Sequence, residues 1–334
     1  MVKKVTSFDV ARRAGVSQPT VSRALRNLPG TSPETRRKVR QAAEDLSYIP
    51  SDSARALSTR STRRIAVVSE ELTNPYYPQL VEPLRRLLAE RDLRTVVITD
   101  SEHRSIGPEV LADGSYDGVV LTTTGRQSRL PRDLTELGVA HVLANRVLDV
   151  AECPSCSVDN AGGAEAISEL LADLGHCSVA SIQGPLTTST GRERAAALAE
   201  GMRRRGVPLR RELTRRTDFS HDAGHRVARE LFALPHPPTA VVCGNDVVAL
   251  GVLSAAREHG LNVPGDVTVI GFDDIPMAGW PLVDLTTVHC DLESLAAAAV
   301  DLLLDEIAGH RGDPVTQIVP VSMVLRRTHA PPRA

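Results

Sequence analysis

A glycine turn between two short amphipathic segments is the feature that most constrains the fold of this chain. Val10, Ala11 and Ala14 recur at helical spacing behind Thr6, a residue type that caps helices well. Gly15 follows directly, and a minimal turn between helices needs a residue that tolerates positive φ. The pattern predicts a first helix that ends at Gly15 and a second helix immediately after it.

The second predicted helix has an apolar inner face and a polar outer face. Ser17 is its cap, and Val21, Ala24 and Leu25 face inward. Its outward side chains are Gln18, Thr20, Ser22 and Arg23. Glutamine and arginine near the start of a helix suit base edges and phosphates in the major groove of double-stranded DNA. The sequence therefore predicts a helix-turn-helix that contacts DNA.

The net charge of the N-terminal residues supports a nucleic-acid partner. A third predicted helix, which opens at Ser32, completes this N-terminal head. Residues 1–60 contain 12 Lys and Arg against 5 Asp and Glu, a net charge of +7, so residues 61–334 carry −9. A basic head on an acidic body is expected of a nucleic-acid-binding module attached to another domain. The alternative is a small helical bundle whose charges form a solvated face.

Length, apolar content and cysteine usage limit the class of protein. At 334 residues the chain can hold two or three domains with substantial cores. It has no apolar run of about 18 residues, and its N-terminus predicts a basic helix instead of a signal peptide. We therefore expect a cytoplasmic protein with no membrane partner. Five cysteines, an odd number, argue against a disulfide framework.

Cys153 and Cys156 have the spacing of metal ligands. A structural zinc needs two more ligands, and the other cysteines lie in separate predicted elements. We therefore expect no metal here, but a surface turn with two thiols.

From Arg63 onward, short apolar strands alternate with amphipathic helices. The strands are predicted at residues 65–69, 95–99, 118–122, 140–144, 179–183, 240–243 and 267–271. This alternation is typical of doubly wound parallel sheets, and two such sets imply a two-lobed α/β body. The segment between Ser101 and Tyr116 is short, which predicts a truncated crossover helix. Ligands of such sheets bind beyond the carboxyl ends of the strands.

Polar side chains follow the predicted strands, at the place where a cleft between the lobes would lie. They are Glu70, Asn74, Tyr76, Tyr77, Asn145, Arg146, Asp159, Asn160, Arg194, Asn245 and Asp273. Acids accept hydroxyl protons, a guanidinium donates in a fork, and aromatic faces cover ring faces. The set suits a hydroxyl-rich ligand such as a sugar or nucleoside.

Structural interpretations of the same residues stay open. Asp159 can cap the following helix, and Tyr77 can be a packing residue. Arg194 and Asp273 can form an ion pair with a purely structural role.

Several longer segments carry a family resemblance. The helix-turn-helix is followed by SPETRRKVRQAAEDLSYIPSDSARALSTR, and the body contains TNPYY, VDN, GRERAAAL, CGNDVVALGVLSAAREHGLNVPGDVTVIGFDDIP and LTTV. These segments resemble the LacI/GalR family of bacterial transcription regulators over essentially the whole chain. The resemblance implies a body like that of periplasmic binding proteins. It also implies a hinge helix and linker at residues 51–62, which orders when two subunits meet on DNA.

The resemblance further implies which residues bind DNA. In the family, a leucine of the hinge wedges into a minor-groove step, and by position this is Leu57 with Ala54 beside it. The full set of expected DNA contacts is Thr6, Ser17, Gln18, Thr20, Ser22, Arg23, Asn27, Ala54 and Leu57.

Effector contacts are implied in the same way. They carry over to Tyr76, Tyr77, Arg146, Asp159, Arg194, Asn245 and Asp273, and we add Glu70 at the rim. Two positions depart from the family: Cys290 stands where members often have glutamine, and Glu70 is negative where many have no charge. The effector class therefore stays open, and amine-bearing ligands are included.

The expected function is that of a ligand-responsive repressor acting as a homodimer. One helix-turn-helix reads few base pairs, so two heads related by a dyad would read a pseudo-palindromic operator. A small polar effector, a sugar or sugar-like molecule, would control it. Neither a glycine-rich phosphate loop nor a G-x-S-x-G motif appears, which argues against an enzyme, and no cofactor is expected. The alternatives are a regulator controlled by a protein partner with an unused cleft, and a solute-binding protein.

The same patterns give expected domain limits. The head takes residues 1–50, the hinge 51–62 and the two-lobed body 63–330. Within the body, the N-lobe takes 63–160 and 290–318, and the C-lobe takes 161–289 and 319–330. The tail after Thr328 is short and proline-rich, unlike a heptad-repeat tetramerisation helix, which favours a dimer over a tetramer.

Overall fold

In the computed structural model, the described part of the N-terminal unit consists of three helices. They are α1 (Ser7–Ala14), α2 (Gln18–Leu25) and α3 (Pro33–Asp45). The structure describes residues 5–49, 61–69, 72–99, 106–310 and 312–333. The chain divides into two compact units, Met1–Thr62 and Arg63–Ala334. Three residues with expected binding roles lie outside the described residues: Ala54, Leu57 and Glu70.

The turn between α1 and α2 has the predicted chemistry. Thr6 and Asp9 form a capping box, in which each side chain accepts a hydrogen bond from the backbone amide of the other. Gly15 ends α1 in the left-handed region, with φ of 68°. Ser17 caps α2 by accepting the Thr20 amide. These bonds fix where each helix begins and ends.

Apolar side chains from all three helices form the core of the head. The buried members are Val10, Ala11, Val21, Ala24, Val39, Ala42 and Ala43. Leu46 is partly buried against them. The polar face of α2 remains outside because its apolar residues are used in this core.

Strands of the second unit form parallel sheets. The strands of the first sheet are β1 (Arg64–Ser69), β2 (Arg94–Thr99), β3 (Gly118–Leu121), β4 (His141–Ala144), β5 (Ser155–Val158) and β11 (Thr316–Val319). Their order is β11-β5-β4-β3-β1-β2, and every pairing is parallel. The second sheet contains β6 (Val179–Gln183), β7 (Thr214–Arg216), β8 (Ala240–Cys243) and β9 (Thr268–Ile270). Its order is β7-β6-β8-β9, again parallel throughout.

Helices make the crossovers that parallel strands require. They are α4 (Tyr76–Ala89), α5 (Pro108–Leu111), α6 (Leu130–Glu136), α7 (Asn160–Asp173), α8 (Ser189–Arg204), α9 (His221–Phe232), α10 (Asp246–Glu258) and α11 (Leu292–Ile307), with 3₁₀ turns at Arg211–Leu213 and Pro276–Gly279. The single-turn α5 is the predicted truncated crossover. Within the described ranges, no helix is long and apolar enough to cross a membrane. The predicted α/β class with an all-α head is confirmed.

A short antiparallel pair, β10 (Thr287–Cys290) and β12 (Val321–Val324), stands apart from the two sheets. Parallel bridges also join Ile270 at the end of β9 to Thr286, and Asp273 in the following loop to His289 in β10. After β10 the chain enters α11, which packs against α4, β4 and β5 of the first sheet. Strand β10 is therefore a crossing segment from the second sheet to the first.

The expectation of a surface turn with two thiols at Cys153 and Cys156 is wrong. Both cysteines are buried, and the Cys156 thiol in β5 donates to the carbonyl oxygens of Leu143 and Leu295. Burial raises the pKa of each thiol to about 12. The spacing resembled a turn, but Cys156 belongs to a strand covered on both faces.

A buried histidine ties the end of α7 to other parts of the second sheet. His176 Nδ1 lies 2.9 Å from Thr239 Oγ1, and its Nε2 lies 2.9 Å from the Ala330 carbonyl oxygen. Burial lowers the pKa of His176, and the hydrogen bond to Ala330 only partly offsets this effect. Near the usual histidine pKa, the folded state therefore binds fewer protons at this ring than the unfolded state.

This difference in proton binding predicts a loss of stability in acid. Lowering the pH from about 7 to about 5 should reduce the free energy of unfolding more in the wild type than in His176→Gln. Glutamine has no charged form and retains a donor near the Nε2 position. Urea unfolding at both pH values measures the difference. Equal pH sensitivity of the two proteins would contradict the assignment.

Candidate functional site

The outer face of α2 presents the polar residues that the sequence places there. Arg23 is exposed, while Thr20 and Ser22 are partly buried at their bases. Gln18 Nε2 donates to Ser7 Oγ at 3.3 Å, which links the start of α2 to α1. Because α2 is capped and packed on its opposite side, this face is held in place without its polar side chains entering the core.

Three of the expected DNA contacts also have structural roles. Thr6 and Ser17 are the helix caps described above. Asn27 follows α2 with φ of 56°, and its Oδ1 accepts a 2.7 Å hydrogen bond from Arg40 Nη2. All three remain exposed. Thr6 fixes the start of α1, and Ser17 and Asn27 stand on either side of α2.

In the second unit, polar side chains from both sheets line one cleft. Its lining residues are Asn74, Tyr76, Tyr77, Asn145, Arg146, Thr190, Arg194, Phe219, Asn245 and Asp273. The cleft encloses an empty volume of about 280 Å³, including its solvent-open mouth. It lies at the carboxyl ends of the strands, because β1, β4, β6, β7, β8 and β9 end next to these residues.

The first-sheet side of the cleft is built from two hydrogen-bonded pairs. The Tyr76 hydroxyl donates to Asn145 Oδ1 at 2.9 Å, and Arg146 Nη2 donates to the Tyr77 hydroxyl at 2.8 Å. The two tyrosine rings meet edge to face, with centroids 5.6 Å apart. Asn145 adopts φ of 78°, a left-handed conformation at the end of β4. Each phenol is thereby fixed by a residue that directly follows β4.

Arg194 dominates the second-sheet side. Its Nε donates to Asn160 Oδ1 at 2.8 Å, and its Nη1 donates to the Gly244 carbonyl at 2.7 Å and to Asp273 Oδ1 at 3.0 Å. Its guanidinium also lies over the Phe272 ring, 3.6 Å from the centroid. Four groups therefore fix this arginine, whose side chain is almost completely buried.

The Asp273 carboxylate is the acidic group of the cleft. Burial raises its pKa to about 6, and the neighbouring Arg194 partly counteracts the rise. The residue has φ of 113° and the next residue, Asp274, has φ of 57°. Such conformations are costly for residues with a Cβ and persist where surrounding bonds hold them.

Phe219 supplies an aromatic face on the same side. A Cβ added at Gly184 would lie 2.0 Å from the Phe219 ring, so the ring rests directly on glycine backbone. Asn245 stands nearby as the cap of α10, its Oδ1 accepting the Val248 amide at 2.9 Å. The cleft thus combines an aromatic surface with fixed donors and acceptors.

Six of the eight expected effector contacts lie together in this cleft: Tyr76, Tyr77, Arg146, Arg194, Asn245 and Asp273. Asp159 is not a lining residue; its Oδ1 accepts the Gly162 amide at 2.8 Å and so caps α7. Cys290 is buried in the core, and burial raises the pKa of its thiol. In the described part of the chain, no cluster of three or more His, Cys, Asp or Glu side chains could hold a metal ion.

Thr190 and Phe219 were missing from the predicted cleft. Phe219 follows β7, a three-residue strand whose sequence is Thr-Arg-Arg, so no apolar run marked the strand that positions it. Thr190 lies inside the first turn of α8, one turn before Arg194. The sequence could have indicated Thr190 through its neighbour Gly191, because this glycine lies near the start of the helix that follows β6.

Comparison with known proteins agrees with this architecture. Residues 8–51 match the model for bacterial regulatory proteins of the lacI family, and residues 168–329 match that for periplasmic binding protein-like domains. The chain is 32% identical to the HTH-type transcriptional regulator CelR of Thermobifida fusca, over 96% of each chain. It is 31% identical to the HTH-type transcriptional repressor CytR of Escherichia coli (strain K12), over 96% of this chain and 95% of the relative.

Solved structures agree as well. The lac repressor dimer bound to operator and the anti-inducer ONPF has a TM-score of 0.84 at 28% identity, covering 98% of this chain and all of that one. A CelR–cellobiose complex has a TM-score of 0.75 at 30% identity with the same coverage. The head and body thus define a DNA-binding transcription regulator with a periplasmic-binding-protein-like domain. The chain belongs to the lacI family of bacterial regulatory proteins.

The unequal surroundings of Arg194 and Asp273 predict unequal costs of removing them. Arg194→Met leaves a buried carboxylate without its cation and should lower the free energy of unfolding by about 3–5 kcal/mol. Asp273→Asn leaves Arg194 with Asn160, Gly244 and Phe272 and should cost about 1–2 kcal/mol. Urea unfolding of both variants measures the two costs. Equal costs, or a larger cost for Asp273→Asn, would show that the pair is not organised around the arginine.

Proposed function

We propose that the chain is a repressor that binds a pseudo-palindromic operator as a homodimer and is controlled by a small polar ligand, a sugar or sugar-like molecule, in the cleft. The observation that carries the ligand proposal is the Arg194–Asp273 pair, which places a buried donor and a buried acceptor on the wall of one cleft. The DNA proposal rests on the polar outer face of α2.

For DNA, we propose that α2 enters the major groove with Gln18 and Arg23 nearest the base edges. The remaining proposed contacts are Thr6, Ser17, Thr20, Ser22, Asn27, Ala54 and Leu57, the last two from family resemblance alone. One head offers a short reading surface, and two heads related by a dyad double it. The lac repressor structure, a dimer on its operator, supports this arrangement.

For the ligand, the contents of the cleft favour hydroxyl groups on a ring. Asp273 and Asn145 supply acceptors, Arg146 and Arg194 supply donors, and Phe219 supplies a flat apolar face. The related CelR structure contains cellobiose, and a lac repressor structure contains ONPG.

The DNA proposal predicts that Arg23 contributes to operator affinity. Bound sequences are first selected from random duplex DNA with the full chain, and affinity is then measured by fluorescence anisotropy at fixed salt. Arg23→Ala should weaken binding by about 10-fold or more. Arg203→Ala is the matched control, because Arg203 is exposed on α8 and paired with Glu200. Unchanged affinity for Arg23→Ala would remove Arg23 from the interface.

The ligand proposal predicts thermal stabilisation of the wild type by at least one compound from a panel of sugars, nucleosides and amines. At about 100 times its dissociation constant, such a compound adds about 2.7 kcal/mol to the unfolding free energy. Asp273→Asn should abolish the shift, while Asp222→Asn, on the exposed side of α9, should keep it. A shift that survives in Asp273→Asn would place the binding site elsewhere. A panel without any shift would favour control by a protein partner.

A further inference from the structure

Asp246 is a completely buried carboxylate that does not line the cleft. It is the first residue of α10, directly after the cleft residue Asn245. Neither of its carboxylate oxygens faces a cation within salt-bridge distance in the described chain. Burying a carboxylate without a cation costs free energy. The hydrogen bonds of Asp246 therefore indicate which part of the structure it stabilises.

Two hydrogen bonds of Asp246 hold the segments on either side of Asp273. Its Oδ2 accepts the Ile275 amide at 2.9 Å, and its backbone amide donates to the Phe272 carbonyl at 2.8 Å. These two bonds grip the chain on both sides of Asp273 and Asp274. Since both residues have positive φ, the loop needs such bonds to keep its shape.

The other carboxylate oxygen reaches the crossing strand. Asp246 Oδ1 accepts a 2.5 Å hydrogen bond from the Thr287 hydroxyl at the start of β10. The same strand region holds the loop through its backbone, because the Asp273 amide donates to the Val288 carbonyl at 2.9 Å. Asp246 therefore joins the cap of α10, the Asp273 loop and β10 through one side chain.

A glycine confirms how closely this carboxylate packs on the loop. A Cβ added at Gly271 would lie 2.1 Å from Asp246 Oδ1. The loop can approach the carboxylate only because residue 271 has no side chain. Burial raises the pKa of Asp246, and the nearby Asp273 raises it further.

We propose that Asp246 is a positioning residue, which holds the Asp273 loop in its binding shape and ties that loop to the crossing strand β10. The inference rests on the proposed function only in taking Asp273 as a ligand-binding group. Asp246 acts through the Ile275 amide and the Thr287 hydroxyl and does not touch the ligand itself. A change at Thr287 is therefore transmitted to Asp273, which lies 14 positions earlier in the chain.

Amide hydrogen exchange of the full, ligand-free chain tests the proposal. Thr287→Val removes the hydroxyl but keeps the shape, so exchange in residues 271–275 should accelerate by about tenfold. Thr287→Ser keeps the hydroxyl and should stay within about twofold of the wild type. Strand β1, at Ile65–Val68 in the other sheet, is the internal reference and should not change.

A second pair of variants addresses Asp246 directly. Asp246→Ala should accelerate the same loop amides more than Thr287→Val does. Asp246→Asn should restore most of the protection, because its oxygen can accept from Ile275 while its amide donates to Thr287. If Asp246→Ala does not fold, the threonine pair still decides the question.

Two outcomes would overturn the proposal. One is unchanged loop exchange in Thr287→Val. The other is equal acceleration in the loop and in β1, which would show that Asp246 and Thr287 serve only overall stability. Because no ligand is used, these outcomes are separate from a failure of the proposed function, which would appear as a wild type that no compound stabilises.

Discussion

The buried pair of Arg194 and Asp273 is the interaction on which the rest of the cleft depends. Burying either charged side chain alone costs several kcal/mol of desolvation free energy. The pair can be buried only because the two charges attract and further hydrogen bonds satisfy their remaining donors and acceptors. Arg194 meets this requirement by engaging Asn160, the Gly244 carbonyl and the Phe272 ring as well. The pair thereby draws together the starts of α7 and α8, the end of β8 and the loop after β9. The contacts that this one guanidinium makes therefore fix the wall of the cleft on the second-sheet side.

The first-sheet side is organised differently. There the fixed groups are phenols, each hydrogen-bonded to a residue that directly follows β4. The Tyr76–Asn145 hydrogen bond is neutral, whereas the Tyr77 hydroxyl accepts from the charged Arg146 guanidinium, and both tyrosine rings contribute apolar area. The cleft thus has one side anchored by a buried ion pair and one side anchored by packed tyrosine rings and their hydrogen bonds.

Much of this architecture was predictable because it depends on local chemistry. Thr6, Gly15 and Ser17 are helix ends that any short turn of this kind requires, and the structure places them as the pattern indicates. Parallel strands were visible as apolar runs, and six of the expected effector contacts line the cleft beyond the ends of such runs.

What could not be predicted depends on neighbours that are distant in sequence. Phe219 follows a strand made of polar residues, which becomes a strand only by pairing with β6. Cys153 and Cys156 looked like turn residues, but Cys156 is covered by α11 and Cys153 packs in a separate apolar cluster with Val119 and Leu143. Asp159 offered both a capping and a ligand role, and the structure assigns its carboxylate to the Gly162 amide. Domain limits and DNA contacts stay predictions.

The two sides of the cleft are anchored differently, and this difference affects how the ligand preference of the cleft can change by mutation. Arg194 cannot be exchanged without leaving a buried carboxylate and several acceptors unsatisfied, so mutation there is penalised before any new ligand is gained. Phe219 and Thr190 line the same cleft but are not part of the Arg194–Asp273 ion-pair network. New recognition properties should therefore accumulate at these two positions over generations, while the ionic anchor is inherited unchanged.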